Sequence, residues 1–279
     1  MTIRELYRQG LSLLLHHGLE NESLDCDLLL AKALGKSTSY RHIHPNDVVL
    51  KSQEEIFLKY IQRRTEHEPL QYLLGTWSFF GRDFFVGEGV LIPRPETEDL
   101  VQCALKKISE KKNPVVYDLC AGSGAIGLTV ALECPSAEVY LFEKYDAAFS
   151  YLTKNAEKFR LDNVHLLKED VLLGCSHIIP NADVLISNPP YIESAELPLL
   201  QAEVQKEPSA ALDGGKTGLD FYIAIYQKWL NKTNPDAFLF FECGENQSAS
   251  ILSIFKEKLT HTLVHYDFNM VDRIIEINV

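Results

Sequence analysis

Asn188-Pro189-Pro190-Tyr191 stands directly after the largely apolar run Ala182-Asp183-Val184-Leu185-Ile186-Ser187. Two successive prolines remove two backbone donors and fix φ, so the turn is stiff and its carbonyls face outward. At the carboxyl end of a strand, Asn188 offers a side-chain carbonyl and Pro189 a backbone carbonyl. Two converging acceptors suit an NH2 group on a planar amide or an aromatic amine. Such a nitrogen is a poor nucleophile, because its lone pair is delocalised into a π-system. Gripping both N–H bonds fixes its orientation and favours a more pyramidal nitrogen as charge leaves the π-system. Positioning and aimed acceptors therefore carry the chemistry, with no strong general base required beforehand. Tyr191 is placed to stack on the planar group or to wall the pocket.

A second constellation lies upstream. Val115-Val116-Tyr117-Asp118-Leu119 enters Cys120-Ala121-Gly122-Ser123-Gly124-Ala125-Ile126-Gly127, and a helical run follows. Gly122 and Gly124 let the backbone approach a cofactor, and the helix opens with free N–H groups. The Gly-x-Gly-x-x-Gly spacing alone also matches a dinucleotide fingerprint. Glu143, nineteen residues beyond Gly124 and just after the next apolar run, can accept bonds from both ribose hydroxyls. Asp118 bears on the choice of cofactor: a pyrophosphate gains nothing from a carboxylate, whereas a sulfonium or an amino-acid ammonium does. Asp170, after the third apolar run, is placed to receive the exocyclic amine of adenine.

These residues need a sheet to hold them. Val115–Leu119, Val139–Phe142, Val164–Leu167, Val184–Ile186 and Phe238–Phe241 are continuous apolar runs separated by helix-length connections. That pattern predicts an α/β fold with a mostly parallel sheet covered on both faces. Leu263–Phe268 and Ile274–Ile277, joined through Asn269-Met270-Val271-Asp272, predict a closing hairpin. Residues 1–66 read as helical, with Asn21 as a candidate cap, Gly35 as a stop, and Ser52 with Glu55 as a candidate capping box. Gly75 to Pro95 is rich in glycine and aromatics and reads as a hairpin linker. Thr97 to Ile108 reads as a helix, with Pro95 at its start and Arg94 free to pin the linker by a salt bridge. The division expected is 1–74 helical, 75–95 linker and 96–279 catalytic.

Charge and composition exclude several classes. The net charge is -12 over 279 residues. Residues 1–86 contribute -1 and the remainder -11. Such a field does not favour gripping a phosphate backbone, so direct binding of naked nucleic acid is not expected. No run approaches the length of a membrane span and the first residues do not resemble a signal peptide. The six cysteines are scattered without a Cys-x-x-Cys, which predicts free thiols in a reducing cytoplasm and no bound metal.

Taken together, these segments resemble the protein-(glutamine-N5) methyltransferases that modify peptide chain release factors. The likeness runs through Glu68-Pro69-Leu70-Gln71-Tyr72 followed by Gly75, the run from Phe84 through Val90-Leu91-Ile92-Pro93-Arg94-Pro95-Glu96-Thr97-Glu98, Asp118 to Ile126 and Asn188 to Tyr191. It continues through Glu207-Pro208, Leu212-Asp213-Gly214-Gly215, Gly218-Leu219, Glu242-x-Gly244-x-x-Gln247 and Asp272-Arg273. The resemblance implies a class I S-adenosylmethionine-dependent fold, Rossmann-like with seven strands, behind a small N-terminal helical bundle for substrate recognition. It implies methylation of the glutamine of a Gly-Gly-Gln tripeptide in class 1 release factors, with S-adenosylhomocysteine as the other product. Asn188, Pro189, Pro190 and Tyr191 are then the catalytic and substrate-binding set, and Asp118, Gly122, Gly124, Glu143, Asp170 and Asn188 the cofactor set. Phe84, Phe85, Arg94, Thr97 and Glu98 become candidate pocket walls. Two departures from the family pattern stand out: Glu143 replaces the commoner aspartate, and Ala121 replaces a threonine. A ribosomal-protein glutamine, adenine N6 in nucleic acid, and a binding module without catalysis are the competing readings.

Overall fold

In a computed structural model of the chain, residues 1–19, 21–267 and 270–279 are described. They fall into two compact units. One comprises Met1–Thr76 together with Gln201–Lys206, the other Trp77–Leu200 together with Glu207–Val279.

The first unit is built from α1 (Ile3–His16), α2 (Glu22–Leu34), α3 (Tyr40–Ile43), α4 (Lys51–Thr65) and α5 (Leu70–Leu74). Thr2 and Glu5 close a reciprocal capping box on α1, satisfying two otherwise unpaired amides. Leu6, Leu14, Leu29, Leu30, Phe57 and Ile61 are buried in its core. A Cβ on Gly10 would meet the Phe57 ring at 2.5 Å, so glycine is what lets α1 lie against α4. Two expected caps are corrected. Asn21 sits in the left-handed region (φ 60°) and makes no side-chain cap bond. The α4 box is not made by Ser52 and Glu55: the helix starts at Lys51, and Gln53 Oε1 accepts the Leu50 amide. Gly35, at φ 63°, ends α2 as its sequence predicts.

Gln201–Lys206 joins this unit although it lies over a hundred residues downstream. Buried Arg64 donates to Asp25 Oδ2 at 2.6 Å and to Glu203 Oε1 at 2.5 Å. Nothing in the sequence around 201–206 marks that attachment.

The second unit opens with a two-stranded sheet of β1 (Thr76–Phe79) and β2 (Arg82–Phe85), then α6 (Glu96–Ile108). Next come β3 (Val115–Leu119), α7 (Ala125–Glu133), β4 (Glu138–Phe142), α8 (Asp146–Phe159), β5 (Val164–Leu167) and β6 (Ala182–Ser187). It closes with α9 (Asp220–Lys228), β7 (Thr233–Glu242), α10 (Ser248–Phe255), β8 (His261–Tyr266) and β9 (Asp272–Asn278). The segment expected as a linker belongs to this unit from Trp77 onward.

The large sheet has seven strands in the order β5-β4-β3-β6-β7-β9-β8, parallel except where β9 pairs antiparallel with β7 and β8. Both faces are covered, which explains the unbroken apolar strands. Val184 and Ile186 face the core under α6 and α7, while the intervening Leu185 faces the one under α9 and α10. After β5 the chain crosses back to lay β6 on the other side of β3, so the order of winding reverses between β3 and β6. The closing strand β8 ends at Tyr266; the expected continuation to Phe268 and Asn269 lies outside the described residues. Among the described residues, no helix is long and apolar enough to cross a membrane.

The Arg64 cluster generates a test. Arg64→Ala strands the Asp25 carboxylate without its cation and is expected to destabilise the full chain by about 3–5 kcal/mol in urea unfolding. Glu203→Ala removes a partner that remains about one-third exposed and is expected to shift stability by about 1 kcal/mol or less. Equal effects would show that the Asp25–Arg64 pair is not what holds the unit.

Candidate active site

The parallel ladder places four loops side by side. Phe142, Leu119, Ser187 and Phe241 are paired neighbours on β4, β3, β6 and β7. The next residue on each strand is therefore Glu143, Cys120, Asn188 and Glu242, in one row along the carboxyl edge. This is also where the winding reverses, the place at which open α/β sheets leave a crevice. The crevice here is a cavity of about 280 Å³ whose wall includes Val90, Gly122, Glu143, Asp170, Asn188 and Pro190.

On one side of it the glycine loop turns with Gly122 at φ 56° and Gly124 at φ 83°. Glu143 braces that turn: Oε2 accepts the Gly122 amide at 2.9 Å and Oε1 the Tyr145 amide at 2.8 Å. Burial raises the Glu143 carboxyl above its ordinary value, and the backbone donors oppose the rise. Each oxygen keeps a further lone pair for a hydroxyl donor. Asp170 Oδ1 accepts the Leu172 amide at 3.0 Å, and its other oxygen pairs with Lys144 Nζ at 2.9 Å.

On the other side, Asn188 Nδ2 donates to Thr97 Oγ at 3.2 Å, and the Thr97 hydroxyl donates to Glu242 Oε2 at 2.6 Å. With its nitrogen committed to Thr97, the Asn188 amide has its carbonyl oxygen left for the cavity. The turn is clamped from behind. Gln247 Nε2 donates to the Tyr191 carbonyl at 2.8 Å, and Gln247 Oε1 accepts the Gly244 amide. Ile192 exchanges backbone bonds with Leu212 and Gly214. A Cβ on Gly214 would meet the Pro190 carbonyl oxygen at 2.8 Å, and one on Gly218 the Tyr191 carbonyl oxygen at 2.3 Å. Those two glycines are what let the 212–218 segment lie directly on the backbone of the turn.

Several expected residues are placed elsewhere. Phe84 is fully buried in the core, edge-on to Phe79 and Phe159, and does not reach the cavity. Phe85 is off the wall too; its backbone pairs with Asn155, and Lys158 lies over its ring. Arg94 is bound to Glu207, which also accepts the Ile92 amide at 3.0 Å, so this pair pins the linker rather than lining the cavity. Glu98 turns away and accepts the Phe80 amide at 2.8 Å. Gly124 packs beneath the loop against Leu128 and Leu152. Asp118 is buried under the loop: Oδ2 takes the Gly127 amide at 2.8 Å, Oδ1 has no partner, and burial pushes the carboxyl up to about 7. Pro189 and Tyr191 are not on the wall; Tyr191 is half-buried, with its hydroxyl 3.5 Å from Glu242 Oε1. Gly122, Glu143, Asp170, Asn188, Pro190 and Thr97 do converge on the cavity.

Sequence reasoning gave no role to Glu242, to the apolar wall of Val90, Leu91 and Ile126, or to Pro208, Ala210 and Ala211. Glu242 ends an apolar run next to the strand that carries Asn188, and that position was its available signal. A separate cluster brings Glu169, Cys175 and His177 within 4.8 Å of one another. Glu169 Oε1 already takes the Ser176 hydroxyl at 2.5 Å and lies 2.6 Å from His177 Nδ1, so hydrogen bonds account for that grouping.

The geometry fits a cationic nucleoside donor. An apolar cavity carries carboxylates at Glu143 and Asp170 and sits beside a glycine turn open to close approach. Comparison with known proteins agrees. Residues 5–75 match the PrmC N-terminal domain, and residues 97–217 match the methyltransferase small domain. The fold is shared with a methyltransferase from Pyrococcus furiosus, at TM-score 0.54 and 17% identity over 72% of this chain and 90% of that one. It is shared also with the hMettl16 catalytic domain, at TM-score 0.58 and 14% identity over 71% of this chain and 76% of that one. A release factor glutamine methyltransferase of Clostridium botulinum is 33% identical over 92% of both chains. Another, from Geobacter sulfurreducens, is 34% identical over 98% of this chain and 95% of its own. With both domains matched and the likeness running nearly end to end, the chain belongs to the release factor glutamine methyltransferase family, enzymes that use S-adenosylmethionine.

Proposed function

We propose that this chain methylates the side-chain amide nitrogen of the glutamine in the Gly-Gly-Gln tripeptide of class 1 release factors. The observation that carries the reading is the Asn188 amide, turned by Thr97 so that its carbonyl is offered to a donor in the cavity. A primary amide is such a donor, and its lone pair must be freed from the carbonyl before it reacts.

S-adenosylmethionine bound in the cavity supplies an electrophilic sulfonium methyl. Glu143 is assigned to the ribose hydroxyls, Asp170 to the adenine amine, and Gly122 to the close approach of the loop. Asn188 Oδ1 is assigned to an N–H bond of the glutamine amide; the Pro189 carbonyl, expected from the sequence as the second acceptor, lies off the wall. Holding the N–H draws electron density onto nitrogen and keeps it in one orientation, which lowers the barrier by positioning and electrostatics. The surrounding apolar wall of Val90, Leu91, Ile126, Pro208 and Ala211 excludes water from the electrophile. The helical unit is assigned to holding the release factor while its tripeptide loop enters.

Labelled S-adenosylmethionine separates the substrates. Transfer is expected to an intact release factor, and not to its Gln→Ala tripeptide variant, to ribosomal proteins or to nucleic acid; label in nucleic acid alone would overturn the reading. Asn188→Ala is expected to lose about 10²-fold or more in kcat while cofactor affinity, read by calorimetry, stays within about threefold. Equal loss of both would remove Asn188 from the substrate side.

Asp118 yields a pH prediction. Its folded-state value is raised, so the neutral form is the one the fold favours. Its stabilising contribution is full below the ordinary carboxylate range and is lost as pH rises through about 7. Asp118→Asn should therefore gain thermal stability relative to the parent between about pH 5 and about pH 8, by about 2 °C or more in Tm. A difference that stays constant with pH would show that Asp118 is not the buried acid.

A further inference from the structure

Thr97 has one hydroxyl proton, and the direction in which it points decides what Asn188 shows to the cavity. An ionised Glu242 has only acceptors. Its Oε2, 2.6 Å from Thr97 Oγ, therefore takes the Thr97 proton, and Thr97 is left with lone pairs toward Asn188. Asn188 must answer with Nδ2, the nitrogen found 3.2 Å away. Each link follows from the one behind it. A protonated Glu242 removes that compulsion: its hydroxyl can donate to Thr97, which frees the Thr97 proton to point at Asn188 and lets the amide flip. The cavity would then meet an NH2 group where a substrate NH2 needs an acceptor.

We propose that Glu242, acting in its ionised form through Thr97, is the positioning residue that keeps the Asn188 carbonyl facing the substrate nitrogen. The inference rests on the assignment of Asn188 to the glutamine amide, and deepens it. Glu242 and Thr97 are both buried and belong to different elements, the end of β7 and the first turn of α6. A bond across that gap has a local structural use, but it does not by itself require a carboxylate.

Several groups face Glu242. Glu96 and Thr97 come from α6, Asn188 and Tyr191 from the turn, Arg273 from β9, and Cys243 follows on its own strand. Arg94 faces Tyr191 from the linker, and the Tyr222 hydroxyl is spent on the Glu242 backbone carbonyl at 2.7 Å. Burial raises the Glu242 carboxyl and Glu96 adds to the rise; Thr97, Arg273 and Asn188 oppose it, and the balance lies at about 7. The charge is thus within reach of ordinary pH, and the competent form lies on the alkaline side. Lowering the pH through about 7 protonates Glu242 and should lower kcat.

The test uses the full chain with an intact release factor. Thr97→Val keeps the shape and cuts the relay; kcat should fall by about 10–10²-fold, with cofactor affinity within about threefold. Thr97→Ser restores the hydroxyl and should recover most of that loss. Glu242→Gln should be slower than the parent at about pH 8 and should lack the parent's fall in kcat toward about pH 6. A second readout needs no substrate: the side-chain NH2 resonance of Asn188, identified by its absence in Asn188→Ala. It should titrate near pH 7 in the parent and be flat in Thr97→Val. Failure of the parent to methylate the release factor would sink the proposed function, and the amide resonance would still decide the relay. A Thr97→Val enzyme with parental kcat, or an Asn188 resonance that ignores pH, would overturn the inference.

Discussion

The register of four parallel strands is the constraint on which the site depends. Phe142, Leu119, Ser187 and Phe241 are locked side by side, so the residues that follow them emerge together. A slip of one residue on any strand would exchange its two faces and move its last side chain off the row. Burial of both faces prevents this. Val184 and Ile186 fill one core while Leu185 fills the other, so a shifted β6 would put the wrong volumes on both sides. Hydrophobic packing far beneath the cavity therefore fixes where Glu143 stands relative to Asn188.

The ladder sets positions along the edge, but it does not orient the Asn-Pro-Pro-Tyr turn, whose prolines supply no amide donors. That task falls to segments remote in sequence. Gln247 holds the Tyr191 carbonyl, Gly214 and Gly218 allow backbone to lie on backbone, and Thr97 turns the Asn188 amide. Glu207 meanwhile takes both the Ile92 amide and Arg94, tying the strip that carries Val90 and Leu91 to the segment that carries Ala210 and Ala211. Each clamp thus comes from a different stretch of the chain. The resemblance recorded in scattered motifs thus acquires a physical reason: Glu242, Gln247, Gly214, Gly218 and Glu207 all support one turn and its facing wall.

The sheet was legible because strands buried on both faces leave unbroken apolar runs, and the runs at 115–119 and 164–167 coincide with β3 and β5. The helix at 96–108 was legible within one residue for the corresponding reason, a single apolar stripe opened by Pro95. Side-chain direction was not. Phe84 and Phe85 alternate like wall residues, but one sinks into the core and the other lies off the cavity, which depends on how the β1–β2 pair packs on α8. Asp118 reads as a cofactor carboxylate from its place at a strand end, yet the positive-φ glycine turn folds over it. Gln201–Lys206 could not be assigned from composition at all, because a single Glu203 reaching a buried arginine leaves no periodic trace.

The acceptors of the turn do not by themselves select a substrate. Two acceptors beside a methyl donor accommodate any planar NH2 group, an adenine as readily as a glutamine. An extruded base, however, is usually held by stacking on an aromatic or apolar platform and by basic residues on its backbone. Tyr191 is the aromatic residue nearest the acceptors in sequence, and here it is half-buried and off the cavity wall, its carbonyl tied to Gln247 and its hydroxyl turned toward Glu242. The cavity wall carries Pro208, Ala210 and Ala211 together with the aromatic Phe221, so its shape alone does not separate the two. The charge of residues 87–279, at -11, runs against a phosphate backbone. An uncharged side chain that ends in a primary amide meets that electrostatic condition, and the glutamine of the family to which the chain belongs is such a side chain.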